Sequence, residues 1–248
     1  MRIKHQLFGY PKYVIYQKTK TFHFSLDSML LADFVKVKKG VKNIIDLGTG
    51  NAVIPMFLTL KTDAQIYGVE IQKEPFELGL KSIKENRLTE QIKLYHDDIK
   101  NTPEIFSSIN FETVICNPPY FKYYESSNLN QSEHLTIARH EVKITLEEIV
   151  EISYKLLKNG GSLFLIHRPE RLADVFAILK EHKFEPKQIR FVYPKHNKKA
   201  NHVLIHATKG GRPSFLNVLK PLFVYQDNKW TAEVLKIYNY GRKEDASE

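Results

Sequence analysis

The chain has 248 residues, 42% hydrophobic and 26% charged, and a formal net charge of +9. That is ordinary globular composition, and the length suits one large α/β domain or one domain with a modest extension. The lone Cys116 excludes an internal disulfide and a multi-cysteine zinc site, and the ten histidines show no ligand spacing. With no apolar run long enough for a bilayer and no apolar h-region at the start, the expectation is a cytoplasmic protein without a metal or membrane partner.

From residue 43 onward, strand-like and helix-like segments alternate. "NIIDLG" (43–48) reads as a strand and "AVIPMFLTLK" as the helix after it. "AQIYGVE" (64–70) is a second strand, "KEPFELGLKSIKENR" a second helix, and "QIKLYHDD" (91–98) and "ETVICNPP" (112–119) are two further strands. "TLEEIVEISYKLLKNGG" predicts a helix capped by Thr145 and stopped at Gly160. "SLFLIH" (162–167) is a fifth strand, followed by a helix in "ERLADVFAILKEH". "QIRFVYP" (188–194) and "HVLIHAT" (202–208) are two late strands joined by a short basic loop; with no crossover helix between them they are expected to be antiparallel. In "LFVYQDNKWT" the pair Asp227-Asn228 predicts a turn. The pattern is that of a Rossmann-like, doubly wound α/β fold with seven strands, mostly parallel. Residues 41–212 read as its core, 1–40 as an N-terminal extension over the ligand site and 213–248 as a C-terminal hairpin and helix.

Ligands on such sheets bind at the carboxyl ends of the strands. The first strand closes on "DLGTGNA" (46–52), an acid followed by Gly-x-Gly. Gly48 and Gly50 allow a tight turn and close approach to a ligand. The dinucleotide fingerprint G-x-G-x-x-G fails, because Val53 holds the place of its third glycine. Asp46 would repel a pyrophosphate and suits an ammonium group. Glu70, closing the second strand, can accept both hydroxyls of a ribose, and Asp97 or Asp98, closing the third, can reach an adenine amine. An ammonium, a ribose and an adenine together describe S-adenosylmethionine. Each acid taken singly could be a solvated strand end; their succession on strand ends is what points to the cofactor.

The fourth strand ends on Asn117, Pro118, Pro119 and Tyr120. Proline cannot donate to a sheet ladder, so the strand must stop there. An exocyclic base amine is a poor nucleophile, its lone pair spread into the ring. The Asn117 side-chain oxygen and the Pro118 carbonyl can accept its two N–H groups and aim the nitrogen at a sulfonium methyl. The prolines keep both acceptors rigid, and Tyr120 offers a face on which the base stacks. As positive charge grows on the nitrogen both acceptors stabilise it. Read in isolation, the tetrapeptide is also a tight turn capping a core strand.

These motifs resemble the class I S-adenosylmethionine-dependent methyltransferases that modify amide or amine nitrogens. Over nearly the whole chain, "FHFSLDSMLLADF" (22–34), "GVEIQ" (68–72), "ARHE" (138–141), "HRPERL" (167–172), "EPKQIRFVYP" (185–194) and "PLFVY" (221–225) resemble the bacterial tRNA1(Val) adenine-N6-methyltransferases. The resemblance implies catalysis by Asn117, Pro118, Pro119 and Tyr120, with Asp46, Gly48, Gly50, Glu70 and Asp98 holding the cofactor and tRNA as the partner; Asn51, beside the glycines, is a further cofactor candidate. Ala52 stands where relatives often have glycine, and Glu112 where an aspartate is usual. NPPY alone is shared with protein-glutamine and rRNA-guanine methyltransferases; a DNA adenine methyltransferase and a non-catalytic RNA-binding module are further alternatives. Phe22, Phe24, Ser25 and Asp27 either close over the methionine part of the cofactor or belong to a packing helix capped by Ser25 and Asp27.

Basic charge gathers near both ends. Residues 180–212 carry nine Lys/Arg against two Glu, and residues 1–20 carry five and no acid. Lys195, Lys198 and Lys199, between the late strands, are candidate RNA contacts. Phe121 to His140 reads as a long lid-like loop; Arg139 and His140 touch phosphate or pin that loop, and Arg168 is read as a structural ion pair.

Overall fold

A computed structural model describes residues 2–6, 13–18, 26–118 and 144–239. The strands are β1 (Arg2–Gln6), β2 (Val14–Lys18), β3 (Asn43–Leu47), β4 (Gln65–Glu70), β5 (Ile92–His96), β6 (Phe111–Cys116), β7 (Leu157–His167), β8 (Phe184–Tyr193), β9 (His202–Lys209) and four two-residue strands, β10 (Asn217–Val218), β11 (Leu222–Phe223), β12 (Tyr225–Gln226) and β13 (Lys229–Trp230). The helices are α1 (Leu26–Phe34), α2 (Val53–Leu58), α3 (Lys73–Glu85), α4 (Thr102–Ile105), α5 (Leu146–Leu156), α6 (Leu172–Glu181) and α7 (Ala232–Tyr238). None of them is long and apolar enough to cross a membrane.

The seven expected strands form one sheet in the order β5-β4-β3-β6-β7-β9-β8. β5, β4, β3, β6 and β7 run parallel to one another, and β9 runs antiparallel to both β7 and β8. β10 and β11 lengthen it to nine strands by pairing in parallel along β8. The chain leaves β3 toward β4 and β5 and then returns to β6 on the other side of β3. That reversal opens a crevice at the carboxyl ends of β3 and β6.

Alternation along the strands divides the core. Ile44, Ile66 and Ile115 join α1, α2 and α7 on one face; Ile45, Leu47, Val69 and Val114 join α5 and α6 on the other. Counting in steps of two places Asp46, Gly68, Glu70 and Asn117 on the α1 side. Lys61 caps α1: its ammonium donates to the carbonyls of Ala32, Asp33 and Val35 at 3.1, 2.7 and 2.8 Å, a favourable charge at a helix carboxyl end.

Two elements depart from the periodicity. Thr145 does cap α5, with a reciprocal bond from its own N–H to Glu148. The helix nevertheless stops at Leu156 rather than Gly160, because Leu157 pairs with Phe111 and draws "LKNGG" into β7. Gly160 takes a positive φ of 76°, and a Cβ on Gly161 would lie 2.8 Å from the Lys158 carbonyl oxygen, so the bulge needs both glycines. Asp227 and Asn228 take the positive φ angles of the turn between β12 and β13.

The β1–β2 hairpin was not legible as strands. β2 is pinned along α3: Ser82 Oγ accepts the Tyr16 N–H at 3.0 Å, while Asn86 accepts the Val14 N–H at 2.8 Å and donates to its carbonyl at 2.7 Å. Asn86 therefore substitutes for a strand partner. Replacing it with Ala strips β2 of that pairing at a cost of about 1–3 kcal/mol. Hydrogen exchange at Val14 and Tyr16 should accelerate at least tenfold in Asn86→Ala, with β3 to β7 unchanged; equal protection would show that the hairpin is held by other contacts.

Candidate active site

The β3–α2 turn carries three left-handed residues, Gly48, Gly50 and Ala52, with φ of 73°, 59° and 67°. An added Cβ on Gly48 or Gly50 would meet nothing within 4 Å, so the loop faces open space. Gly68 has the opposite constraint: a Cβ there would come within 2.6 Å of Leu94 and 2.9 Å of Thr49, so its absence lets Thr49 settle onto β4. The Gly48 and Thr49 amides donate to the Val69 carbonyl at 2.9 and 3.0 Å and fix the loop to the neighbouring strand.

Glu70 is 5% exposed and holds two turns at once. Its Oε2 accepts the Gly50 N–H at 2.9 Å and its Oε1 the Gln72 N–H at 2.7 Å. Burial raises its pKa, and the two amides oppose that shift. Each oxygen keeps a lone pair for a further donor, so a ribose diol remains compatible with the arrangement.

Asp46 is 1% exposed, and neither carboxylate oxygen has a hydrogen-bond partner. Burial pushes its pKa up to about 7; the Thr49 hydroxyl, close by but itself unbonded, lowers it, and the Glu70 charge adds to the rise. A buried ionisable group without a donor is costly unless a ligand supplies one. A cationic donor such as an ammonium matches it in charge and in hydrogen bonding. The same burial, with the Asp46 charge, raises the pKa of the Cys116 thiol, which is therefore a packing residue.

Asn117 follows β6, one residue beyond the Leu47–Cys116 pair. Its Nδ2 donates to Ser28 Oγ on α1 at 3.1 Å. Ser28 escaped the sequence reading, since nothing local marks a serine as the partner of an asparagine 89 residues away. Gln17 also escaped it: β2 runs antiparallel to α3 toward this crevice, and the Gln17 Nε2 is buried without a partner. Burial, the signal that singles it out, is not visible in "VIYQK".

The other expected residues fall as follows. Asn51 donates its side-chain amide to the Tyr16 carbonyl at 3.3 Å, tying the glycine turn to β2. Asp97 accepts from the Asp98 N–H and the Asn101 amide at 2.7 and 2.8 Å, while Asp98 accepts the Lys100 N–H at 2.9 Å and caps a short 3-10 turn; both lie past the end of β5. Asp27 is in the first turn of α1 and faces His202 on β9 at 3.5 Å, so it braces α1 against the late strands. Arg168 donates to the Asn201 carbonyl at 3.1 Å, a contact with the β8–β9 loop. Lys195 donates to Asn228 at 2.6 Å, whereas Lys198 and Lys199 are exposed in the β8–β9 loop. Since β8 is parallel to β7, that loop lies at the carboxyl edge of the sheet, with Asn117. Phe22, Phe24, Ser25, Pro119, Tyr120, Arg139 and His140 lie outside the described residues. Glu112, by contrast, sits at the amino end of β6, accepting from the Lys42 and Asn43 amides and Lys158.

Asp46 makes a pH prediction. Its carboxyl is neutral well below pH 7 and charged above, and only the charged form complements a cation. Affinity for S-adenosylmethionine should rise up to tenfold per pH unit below about pH 7 and level off above it, with proton release on binding. In the ligand-free protein the sign reverses: the raised folded pKa means that this group's contribution to stability falls as pH climbs from about 4 to 7. Asp46→Asn should flatten both profiles and weaken binding; calorimetry and thermal melts across pH 5–8.5 check this, and an unchanged pH profile would remove Asp46 from the cofactor site.

The family model described as "Methyltransferase small domain" matches residues 23–184. Among curated proteins, the chain is 26% identical over 164 residues to a tRNA1(Val) (adenine(37)-N6)-methyltransferase of Flavobacterium psychrophilum, covering 64% of this chain and 67% of that one. A protein of the same name from Cytophaga hutchinsonii is 19% identical over 93% of this chain and 94% of its own. Among solved structures, one described as a predicted O-methyltransferase from Agrobacterium tumefaciens superposes with a TM-score of 0.66 at 23% identity, over 86% of this chain and 95% of that one. The geranyl diphosphate C-methyltransferase of Streptomyces coelicolor, solved with S-adenosyl-L-homocysteine, superposes with a TM-score of 0.55 at 12% identity, over 73% and 78% of the two chains.

Proposed function

The chain belongs to the methyltransferase small domain family, and within it we propose that this protein transfers a methyl group from S-adenosylmethionine to N6 of adenine 37 in tRNA1(Val). The observation that carries this reading is the pairing of a buried, donor-seeking Asp46 with Asn117-Pro118 on the adjacent strand end, at the sheet's switch point. The relatives that span most of the chain carry the substrate in their names.

S-adenosylmethionine, when bound, supplies an electrophilic sulfonium methyl. Asp46 takes the ammonium of its methionine part, the glycine turn leaves room for its backbone, and Glu70 accepts the ribose hydroxyls. Asp97 or Asp98 receives the adenine amine. Opposite them, Asn117 Oδ1 and the Pro118 carbonyl accept the two N6 hydrogens of the target base. Both acceptors hold the amine with its lone pair toward the methyl, and they gain strength as the nitrogen becomes cationic. Pro119 stiffens the turn and Tyr120 stacks on the base. Ser28 fixes the Asn117 amide from behind. Lys198 and Lys199, at the same edge, hold tRNA phosphates, with Lys195 bracing their loop through Asn228.

Asn117→Ala should abolish methyl transfer in single-turnover assays while leaving cofactor affinity within about threefold, because its acceptor faces the base. Near-normal transfer would refute the role given to the Asn-Pro-Pro-Tyr turn. Glu70→Ala should instead weaken cofactor binding by about 1.5–3 kcal/mol, the usual value for a bond to a charged acceptor. Nucleoside mass spectrometry of tRNA from cells with and without the gene tests the substrate: N6-methyladenosine at position 37 of tRNA1(Val) should disappear with the gene, and its persistence would rule this substrate out.

A further inference from the structure

The crevice is at the carboxyl edge of the sheet, yet much of the excess positive charge is at the opposite edge. β3, β6, β7 and β8 all begin there. The segment leading into β3 presents Lys36, Lys38 and Lys39, all exposed. Together with Lys158 they line a cleft of about 150 Å³ whose floor is Thr113, Ser162 and the backbone of Gly160 and Gly161. Within the described residues, the ammonium groups of Lys36, Lys38 and Lys39 make no ion pair. The carboxylates bonded into this edge are already engaged: Glu112 with Lys158 and two backbone amides, and Glu185 with Lys180.

Lys187 approaches the same region from β8. Its ammonium donates to the Arg212 carbonyl and to Ser214 Oγ, the latter at 2.8 Å, so it holds the loop that follows β9. Burial holds the pKa of the half-buried His206 down to about 4, and the charges of Lys38, Lys36 and Lys187 add to that shift. The held loop displays Phe215, which is 100% exposed. A phenylalanine that covers nothing is the opposite of what folding favours.

We propose that the amino edge of the sheet is a second RNA-contact surface, on which Lys36, Lys38 and Lys39 neutralise phosphates and Phe215 stacks on an unpaired base. Cations interleaved with an exposed ring are what a polynucleotide strand uses: charge follows the backbone and the ring takes any base. A second copy of the chain fits poorly, since the same edge would bring lysines against lysines, and β10 offers only two residues for edge pairing. Strands of six residues separate the two edges by about 20 Å. The RNA held here lies at least that far from the target base. The assignment of tRNA as partner rests on the proposed function; the surface itself is tested by binding.

The experiment compares full-length tRNA with a short anticodon stem-loop, for wild type, Lys36→Gln/Lys38→Gln/Lys39→Gln and Phe215→Ala, at several salt concentrations. The triple variant should bind full-length tRNA at least tenfold more weakly near 0.1 M salt, with the log–log salt slope reduced by about 2–3. Phe215→Ala should weaken it about tenfold with the slope unchanged. Stem-loop affinity and single-turnover methylation of the stem-loop should be unaffected in both, since neither touches the carboxyl edge. Unchanged affinity and slope for full-length tRNA in both variants would overturn the proposal. So would a Phe215→Ala that alters sedimentation of the free protein but not RNA binding, which would make this edge a self-association surface. Failure of the wild type to methylate either RNA would sink the adenine-37 reading, while the binding comparison would still decide this one.

Discussion

One carboxylate organises the ligand end of this protein. Glu70 receives an amide from the β3–α2 turn and another from the β4–α3 turn, so two loops that need not share a geometry are cross-linked through a single side chain. The bond reaches Gly50 because residue 50 is left-handed, and the turn lies close enough because Gly68 has no Cβ to hold Thr49 away. Removing Glu70 would leave the Gly50 and Gln72 amides without their acceptor as well as removing an acceptor for a ligand. In the proposed cofactor site structure and binding would therefore be coupled in this residue, and its variants are read with a folding measurement alongside.

The cost of the arrangement falls on Asp46. A second carboxylate is packed into the same low-dielectric crevice, with no donor and with Glu70 adding to its discomfort. A site of this kind is unfavourable empty and favourable when a cation enters, so the ligand's charge does what a salt bridge would otherwise do. It also explains why Asp46 can stand in a row of apolar neighbours on β3 without an internal partner. Asn117, on the strand at the other side of β3, is instead satisfied from α1 through Ser28 and so has one orientation before substrate arrives. Asp27, one residue earlier, ties the same helix to β9. The first turn of α1 thus links the late antiparallel strands to Asn117.

The two edges of the sheet divide the work by charge. The carboxyl edge carries the acids assigned in the proposed cofactor site, and the exposed lysines of the β8–β9 loop lie at the same edge. The amino edge carries lysines whose nearby acids are already bonded. Keeping strong cations away from the acidic crevice avoids competition for Asp46 and Glu70, while leaving positive surface to attract an anionic substrate over longer range.

What the sequence by itself determined are the features encoded in short windows: the alternation of strands and helices, the glycine turn after Asp46, the strand stop at Asn117-Pro118, the antiparallel late pair and the Asp227-Asn228 turn. Hydrophobic period, proline chemistry and glycine φ are local properties, so a linear reading reaches them. Only the tertiary structure decided the rest. Leu157 could continue a helix or enter a strand, and Phe111, 46 residues earlier, settles it in favour of β7. The β1–β2 hairpin has a weak pattern of its own and is held by Ser82 and Asn86 from α3. Asn51 and Lys195 proved to be engaged by Tyr16 and Asn228, and Ser28 and Gln17 acquired importance only through burial beside residues distant in sequence. Side-chain partners across long sequence separations depend on how helices dock on the sheet, and that docking is a collective outcome of packing that no local pattern records.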